Sequence, residues 1–454
     1  MDKDFAELQW SSLCNRLCGE CSSEDFWRLY SPKPIDLPNQ GWKLHLSATP
    51  RNSLQMLKAA VSAANKYGVA VKFPRKIVGL AILNSGIGSA LSQAGKIFTF
   101  YSDSETKLLK AAEELGRKTN RFRCPTVTYD EPVVWGRNIF FRYGVISGDA
   151  FTKVIGPSGD ALPDERGKGK AIPAWAKNSN FVRAIRGNKQ SRHSATRLLP
   201  CDLLVFEAIS QRAKGGVYKA LDLSVIPGRI VALKEGRLDG ELNVEGLEGY
   251  KLARREARNL RSLHKLGFHV PKVYRTVDVS THFYVATEYL GTNTLDKFYN
   301  TETEEKLNIC RSLMREIASL NNAGWMWRDC KPANIIISEG RIYLIDMEGA
   351  CKVEKSYNTK WGSPGYIPDF SVTPRRLQDI YAGLLSCGQL IASNFKEIDN
   401  ITISEGINSS AISGTLKELF YIFLESPTGA NIERLLQCLC GDRRLEVLSH
   451  IAKS

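Results

Sequence analysis

Trp327-Arg328-Asp329-Cys330-Lys331-Pro332-Ala333-Asn334 decides the reading of the C-terminal half of this chain. The stretch spells D-x-K-x-x-N. In that pattern Asp329 would accept the proton of an attacking hydroxyl, Lys331 would neutralise a γ-phosphate and Asn334 would bind magnesium. The β-branched run Ile335–Ile337 and the strand pattern Ile342–Ile345 follow, ending in Asp346-Met347-Glu348-Gly349. Asp346 would be the second metal ligand, since magnesium prefers hard carboxylate and carbonyl oxygens.

Working upstream, Val231-Ala232-Leu233-Lys234 reads as a strand whose lysine would hold the α- and β-phosphates of a nucleotide. Glu256, in the helical run Leu252–Leu263, is the candidate to pair with Lys234. Working downstream, Gly362-Ser363-Pro364-Gly365-Tyr366-Ile367-Pro368-Asp369 and Asp379 follow in order. Together these motifs resemble the protein kinase family over Val205 to Arg376, with supporting helices beyond. The departures are specific. Ser210-Gln211-Arg212-Ala213-Lys214-Gly215-Gly216-Val217 keeps only the end of a glycine-rich phosphate loop, with Gly215 as its nucleotide-contacting glycine and Arg212 and Lys214 as spare cations. Trp327 replaces a histidine, and Met347-Glu348 replaces a Phe-Gly pair. None of these removes the base, a metal ligand or the lysine, so an active kinase is expected.

The 454 residues allow a second domain. The formal net charge is +14, and nearly all of it lies in residues 1–200, which balance to +13 against +1 for the remainder. Such a surface attracts phosphorylated or acidic partners, or simply solvates the domain. The N-terminus lacks the basic-then-apolar order of a secretory signal, and the most apolar stretch, Ile77–Leu83, is too short to span a bilayer and reads as a buried strand. Eleven scattered cysteines suit reduced thiols in a cytoplasm.

Residues 1–30 carry a helical pattern through Leu8, Leu13 and Leu17 to Phe26, Trp27 and Tyr30, broken by Pro32, Pro34 and Pro38. Beyond Gly41, helices are expected at Ser53–Tyr67 and Ser104–Lys118. Strands are expected at Trp42–Ala48, Val69–Phe73, Val78–Leu83, Ile97–Tyr101 and Ile139–Arg142. That is an α+β domain with a mixed sheet, occupying residues 1–195, ahead of a bilobal kinase-like domain at 200–454. Residues 151–200 read as an irregular basic loop and linker, part of it folding over the first domain.

Gly41–Thr49 alternates with period 2, placing Trp42, Leu44 and Leu46 on one face and Lys43, His45 and Ser47 on the other. Lys72 opposes Val71 and Phe73, Lys96 leads the strand Ile97–Tyr101, and Arg142 ends another strand. If these strands share a sheet, several cations converge on His45, the only histidine in residues 1–192. Taken singly, each lysine is more often a solvated strand residue and the histidine a hydrogen-bonded structural one. Together they suit β-elimination of phosphate: crowded cations depress a lysine toward a base, an imidazolium serves as acid, and the rest hold the dianion.

Gly41–Thr49, Lys72-Phe73, Lys96–Tyr101 and Arg142-Tyr143-Gly144 resemble the lyase domain of class III and class IV lanthipeptide synthetases, itself related to phosphothreonine lyase effectors. The order of lyase then kinase is also theirs. The resemblance implies Lys72 as base, His45 as acid, and Lys43, Lys96 and Arg142 as phosphate holders. It implies ATP or GTP with magnesium, and a precursor peptide carrying a leader as partner. A C-terminal cyclase with a zinc site is not expected from the 78 residues after Arg376, nor from Cys438, Cys440 and His450. A separate cyclase is therefore a possible partner, and no zinc is expected. Cys14, Cys18 and Cys21 form only a weak metal pattern. No nucleic-acid motif is present. A kinase with a phosphopeptide-docking first domain, and a pseudokinase that scaffolds a leader peptide, remain the alternatives.

Overall fold

The computed structural model describes residues 3–20, 25–85, 93, 95–127, 129–146, 153–165, 169–187, 197–199, 202–212, 214–238, 247–358, 361–396 and 398–441. Helix α1 (Lys3–Cys18) precedes β1 (Trp27–Tyr30) and β2 (Gln40–Leu46). Then come α2 (Ser53–Tyr67), β3 (Ala70–Pro74), α3 (Ile77–Ser85), β4 (Phe98–Tyr101) and α4 (Glu105–Thr119), with β5 (Glu131–Val133) and β6 (Gly136–Val145) completing a six-stranded sheet.

The period-2 pattern of β2 does what it promised. Leu44 and Leu46 join Val71, Phe73, Phe98, Phe100, Ile139 and Phe141 in a core closed by the apolar stripes of α2 and α4. Helix α2 occupies the expected residues, and α4 starts where Ser104 accepts a hydrogen bond from the Lys107 backbone. The opposite sheet face carries Lys43, His45, Thr99 and Arg142, all buried.

The fold class is α+β as expected, and three local expectations are corrected. Val78–Leu83 is helical: Gly79, Leu80, Leu83 and Asn84 are buried, a period near 3.6, and the Glu7 side chain accepts from the Ile77 amide at the helix start. Seven consecutive mostly apolar residues carry no period of their own, so strand and helix could not be told apart. Trp27–Tyr30 is a strand rather than a helical continuation, pairing antiparallel with β3. The sheet is not mixed. Its order is β1-β3-β4-β2-β6-β5 and every pairing is antiparallel, because β4 inserts between β2 and β3 and separates the two strands that α2 connects.

The basic segment after residue 150 is partly structured. It forms a hairpin, β7 (Lys153–Ile155) with β8 (Ala161–Pro163), and helix α5 (Asn180–Arg186). Phe181 of α5 stacks on Trp42 at 4.7 Å between ring centroids, docking the segment onto the first domain.

The second domain opens with β9 (Arg197–Leu199), β10 (Leu203–Arg212), β11 (Gly215–Asp222), β12 (Arg229–Arg237), α6 (Gly249–Lys265), β13 (Val273–Val279) and β14 (His282–Glu288). Its antiparallel sheet runs β13-β14-β12-β11-β10-β9. A helical lobe follows: α7 (Thr303–Asn322), the short strands β15 (Trp325–Met326), β16 (Ile335–Ser338), β17 (Arg341–Leu344) and β18 (Cys351–Lys352), then α8 (Gln378–Ile391), α9 (Asn400–Ser409), α10 (Gly414–Glu425) and α11 (Gly429–Cys440). Leu313, Ile317, Trp327, Leu384 and Phe420 centre its core, so residues beyond Arg376 are built into this lobe. An ion pair at 2.7 Å between Arg51 and Glu248, the residue preceding α6, links the two domains. Among the described residues no helix is long and apolar enough to cross a membrane.

Candidate active sites

In the second domain, β12 delivers Lys234 and α6 delivers Glu256, and the two meet at 2.5 Å. Lys234 Nζ also lies 2.5 Å from Asp346 and 3.0 Å from Glu348. Burial would lower the lysine's pKa, but the three carboxylates outweigh it and hold the ammonium well above its ordinary value. Glu256 is pushed up to about 7 by burial and by its neighbours Asp346 and Glu348, against the pull of Lys234. Glu348 is held below the usual carboxylate range: burial opposes this, and Lys234 and Lys214 more than compensate. The Met347-Glu348 departure thus has a physical role, as Glu348 bridges Lys234 to Lys214 of the shortened glycine loop. Lys214 faces a carboxylate here; the Arg212 side chain lies outside the described residues.

Gly215 occupies a backbone conformation, φ +151°, that L side chains rarely adopt, and a Cβ there would stand 1.8 Å from the Glu235 carbonyl. Gly215 is therefore demanded by the close approach of β12, whereas a Cβ at Gly216 would meet the Tyr218 side chain.

Asp329 is gripped from both sides. Ser363 Oγ donates to Oδ1 at 2.8 Å, and Lys331 Nζ and Asn334 Nδ2 donate to Oδ2 at 2.9 and 2.8 Å. Burial pushes its pKa upward against the pull of Lys331. The loop that carries it is held by Asp379, which accepts from the backbone amides of Trp327 and Arg328, both at 2.7 Å. Arg328 and Asp346 both adopt positive φ, +70° and +60°. Non-glycine residues persist there only when their surroundings over-determine them. Trp327 is wholly buried and donates to the Ile345 carbonyl, which explains an indole in that position. Asn334 and Asp346 carry hard oxygens of the kind a divalent cation takes, and Glu256, Asp346 and Glu348 bring ligand atoms within 4.8 Å of one another.

In the first domain the register does the assembling. Lys72 on β3 pairs with Thr99 on β4, Thr99 pairs with His45 on β2, and His45 pairs with Phe140 on β6. Lys43 pairs with Arg142. Directly paired residues point to one face, so Lys72 and His45 stand two strand spacings apart, about 10 Å between Cα atoms, with Thr99 between them. Lys72 Nζ lies 4.7 Å from the centre of the Trp27 ring and 6.0 Å from that of Tyr101, which orients it by cation–π attraction. Lys43 donates to the Val145 carbonyl. Arg142 pairs with Asp164 at 2.6 Å and donates to the Glu165 carbonyl at 3.2 Å.

Three members of this site were not found by sequence reasoning: Thr99, Asp164 and Asp130. Asp130 accepts from His45 Nδ1 and pairs with Lys96 at 2.9 Å. Burial would raise its carboxyl, but His45 and Lys96 hold it far below the ordinary range. His45 is lowered to about 4: burial dominates, Asp130 opposes it, and Lys96 and Lys43 add to the fall. Strand register places Thr99, and the approach of two loops places Asp130 and Asp164, neither of which a single sequence supplies.

Cys14 and Cys18 lie on α1, where burial pushes their thiols up to about 12 and about 11; Cys21 and His450 lie outside the described residues.

Residues 19–192 match the family described as RamC, N-terminal domain, and residues 206–397 match the protein kinase domain. The chain is 25% identical over 366 residues to the probable SapB synthase of Streptomyces coelicolor, which covers 75% of this chain and 38% of that protein. It is 35% identical over 92 residues to the KEOPS complex subunit Bud32 of Pyrococcus abyssi (20% of this chain, 41% of that one). Similarity of 28% over 182 residues links it to the serine/threonine-protein kinase PknG of Mycolicibacterium smegmatis (38% and 23%). The chain spans less than half the length of each of these relatives. It carries a RamC N-terminal domain followed by a protein kinase domain.

Proposed function

We propose that this chain dehydrates serine and threonine residues of a ribosomally made, leader-bearing precursor peptide in two steps, one per domain. The observation that carries the reading is the convergence of Lys43, His45, Lys72 and Arg142 on one sheet face, in the same chain as a kinase site. The similarity to a SapB synthase supports it.

In the first step Asp329 accepts the proton of the peptide hydroxyl, and Lys331, two residues on, stabilises the charge that develops on the transferred phosphoryl group. Lys234, fixed by Glu256, aligns the phosphates of ATP or GTP. Asn334 and Asp346 would hold magnesium, which would neutralise those phosphates.

In the second step Lys72 removes the Cα proton of the phosphorylated residue. A Cα–Cβ double bond forms, the Cβ–O bond breaks, and the phosphate departs with that oxygen, protonated by His45. Lys43 and Arg142 hold the dianion; Asp164 occupies Arg142 until the phosphate competes for it. The products are a dehydroalanine or dehydrobutyrine residue and inorganic phosphate.

The test is Lys72→Ala in the full chain, given precursor peptide, ATP and magnesium. The peptide should accumulate with added phosphate, and a synthetic phosphopeptide should remain unconverted, a loss of about 10²–10⁴-fold. Conversion of that phosphopeptide at the wild-type rate would show the site to be wrongly drawn. A wild-type protein that leaves it untouched would favour a first domain that only docks phosphopeptides.

A further inference from the structure

Lys96 and Asp130 are the least expected feature of the first domain. A carboxylate with no side-chain exposure sits beneath a ring of cations, touching His45 on one oxygen and Lys96 on the other. The side chains of His45 and Lys96 are themselves 5% and 4% exposed. Burying a charge so completely is costly unless it is paired on both sides, and this one is.

We infer that Asp130 is the positioning residue of the elimination site, fixing the proton on His45 Nδ1, and that Lys96 anchors Asp130 rather than holding the substrate phosphate. The inference rests on the elimination reading above and reassigns Lys96 within it. An ionised carboxylate can only accept, so the nitrogen that faces it must carry hydrogen. That leaves Nε2, on the far side of the ring, as the nitrogen that exchanges a proton with a ligand. With Nδ1 held in this way the ring orientation and tautomer are set before substrate arrives, as an orienting carboxylate sets a catalytic imidazole elsewhere.

The charges around His45 then explain when it becomes an acid. Facing it are Asp130 from the loop before β5, Lys96 from the loop before β4, and Lys43 on its own strand; Lys72 and Arg142 share the same sheet face. In the absence of phosphate the cations and burial keep the imidazole neutral. A phosphate dianion seated against Lys43 and Arg142 offsets those cations, and Nε2 gains its proton. Asp130 stabilises the imidazolium that results.

The experiment uses the full chain and a synthetic phosphothreonine peptide, with inorganic phosphate as competing ligand. Asp130→Asn should lower kcat by about 10²-fold, within the range of one general-acid contribution. KM and inhibition by inorganic phosphate should stay close to wild type. The limb of the pH profile that disappears in His45→Gln should move to lower pH, because the imidazolium has lost its anionic partner. Lys96→Gln should likewise lower kcat with KM close to wild type, but should move that limb to higher pH, because a cation that opposes the imidazolium is lost; in kcat the double variant should be no worse than either single one. Nitrogen-15 NMR should find the proton of neutral His45 on Nδ1 in the wild type and redistributed in Asp130→Asn. A raised KM and weakened phosphate inhibition in Lys96→Gln, with kcat retained, would overturn the reassignment. An unchanged pH profile and tautomer in Asp130→Asn would overturn the positioning role. The tautomer measurement does not depend on turnover, so it separates failure of this inference from failure of the elimination reading. Should Asp130→Asn not fold, the wild-type tautomer and the Lys96→Gln kinetics decide the matter.

Discussion

Asp379→Ala is the sharpest test of how the kinase loop is built. Asp379 has no exposure, and its two oxygens receive the Trp327 and Arg328 amides at 2.7 Å each, with Asn321 Nδ2 more distant at 3.4 Å. Alanine leaves both amides buried without an acceptor, at about 1–3 kcal/mol apiece, so the loss should be about 2–6 kcal/mol. Against a typical domain stability of about 5–15 kcal/mol, that is a large fraction. The damage is also directed. Arg328 sits at φ +70°, a conformation that costs about 1–3 kcal/mol and is maintained here by these same bonds. Once released, the loop no longer presents Asp329, while Lys234 and Glu256 keep their pairing. Phosphoryl transfer should therefore fall much further than nucleotide affinity. Asparagine, which retains an acceptor but sets an amide against the second N–H, should fall between. Urea denaturation gives the stability, and hydrogen exchange at Trp327 and Arg328 reports the loop directly. A variant that loses less than about 1 kcal/mol, the lower edge of a single orphaned amide, and still protects both amides would refute the argument.

Asp329→Asn should abolish phosphorylation of the peptide while nucleotide binding, followed by fluorescence titration, is largely retained, since in the proposed mechanism the carboxylate serves the hydroxyl. Gly215→Ala should raise the KM for the nucleotide and lower the melting temperature, because its Cβ would stand 1.8 Å from the Glu235 carbonyl at a φ of +151°. For His45, the folded pKa of about 4 lies below the ordinary 6.5. The unfolded chain therefore takes up its proton first as pH falls, and stability that is present above pH 6.5 is lost toward pH 4, by at most about 3 kcal/mol. Urea melts at pH 7 and pH 5 should show that slope in the wild type and a smaller one in His45→Gln.

The kinase half was legible because its chemistry is local. Asp329, Lys331 and Asn334 lie within six residues, and the loop that carries them is short enough for sequence to dictate its geometry. The alternation of Gly41–Thr49 was legible for a similar reason: period 2 fixes which side chains share a face before any partner strand is known. Ile77–Leu83 was not, since an apolar run without polar interruptions has no face to declare. Nor were the partners of the buried charges. Asp130 meets His45 across 85 residues, Asp164 meets Arg142 across 22, and Glu348 meets Lys214 across 134. Each pairing is set by strand register or lobe packing. A carboxylate in a loop looks the same in sequence whether it is solvated or stands beneath a buried imidazole.

The two sites have opposite electrostatic designs, and the contrast bears on how a peptide would pass between them. Around Lys234 the carboxylates of Glu256, Asp346 and Glu348 outnumber the two lysines, an arrangement that suits a divalent cation. Around His45 the balance differs: Lys43, Lys72, Lys96 and Arg142 gather there, with Asp130 and Asp164 among the described carboxylates. A newly phosphorylated side chain gains about −1.5 to −2 of charge. The partition of net charge along the chain, +13 in residues 1–200 against +1 beyond, extends the same gradient to the protein surface. Because screening limits such attraction to about 8 Å at physiological salt, the gradient acts on the phosphate only near the cationic face. On the proposed two-step reading, capture of a phosphopeptide by the first domain depends on close approach, so raising the salt should weaken that capture while leaving the buried His45–Asp130–Lys96 arrangement intact.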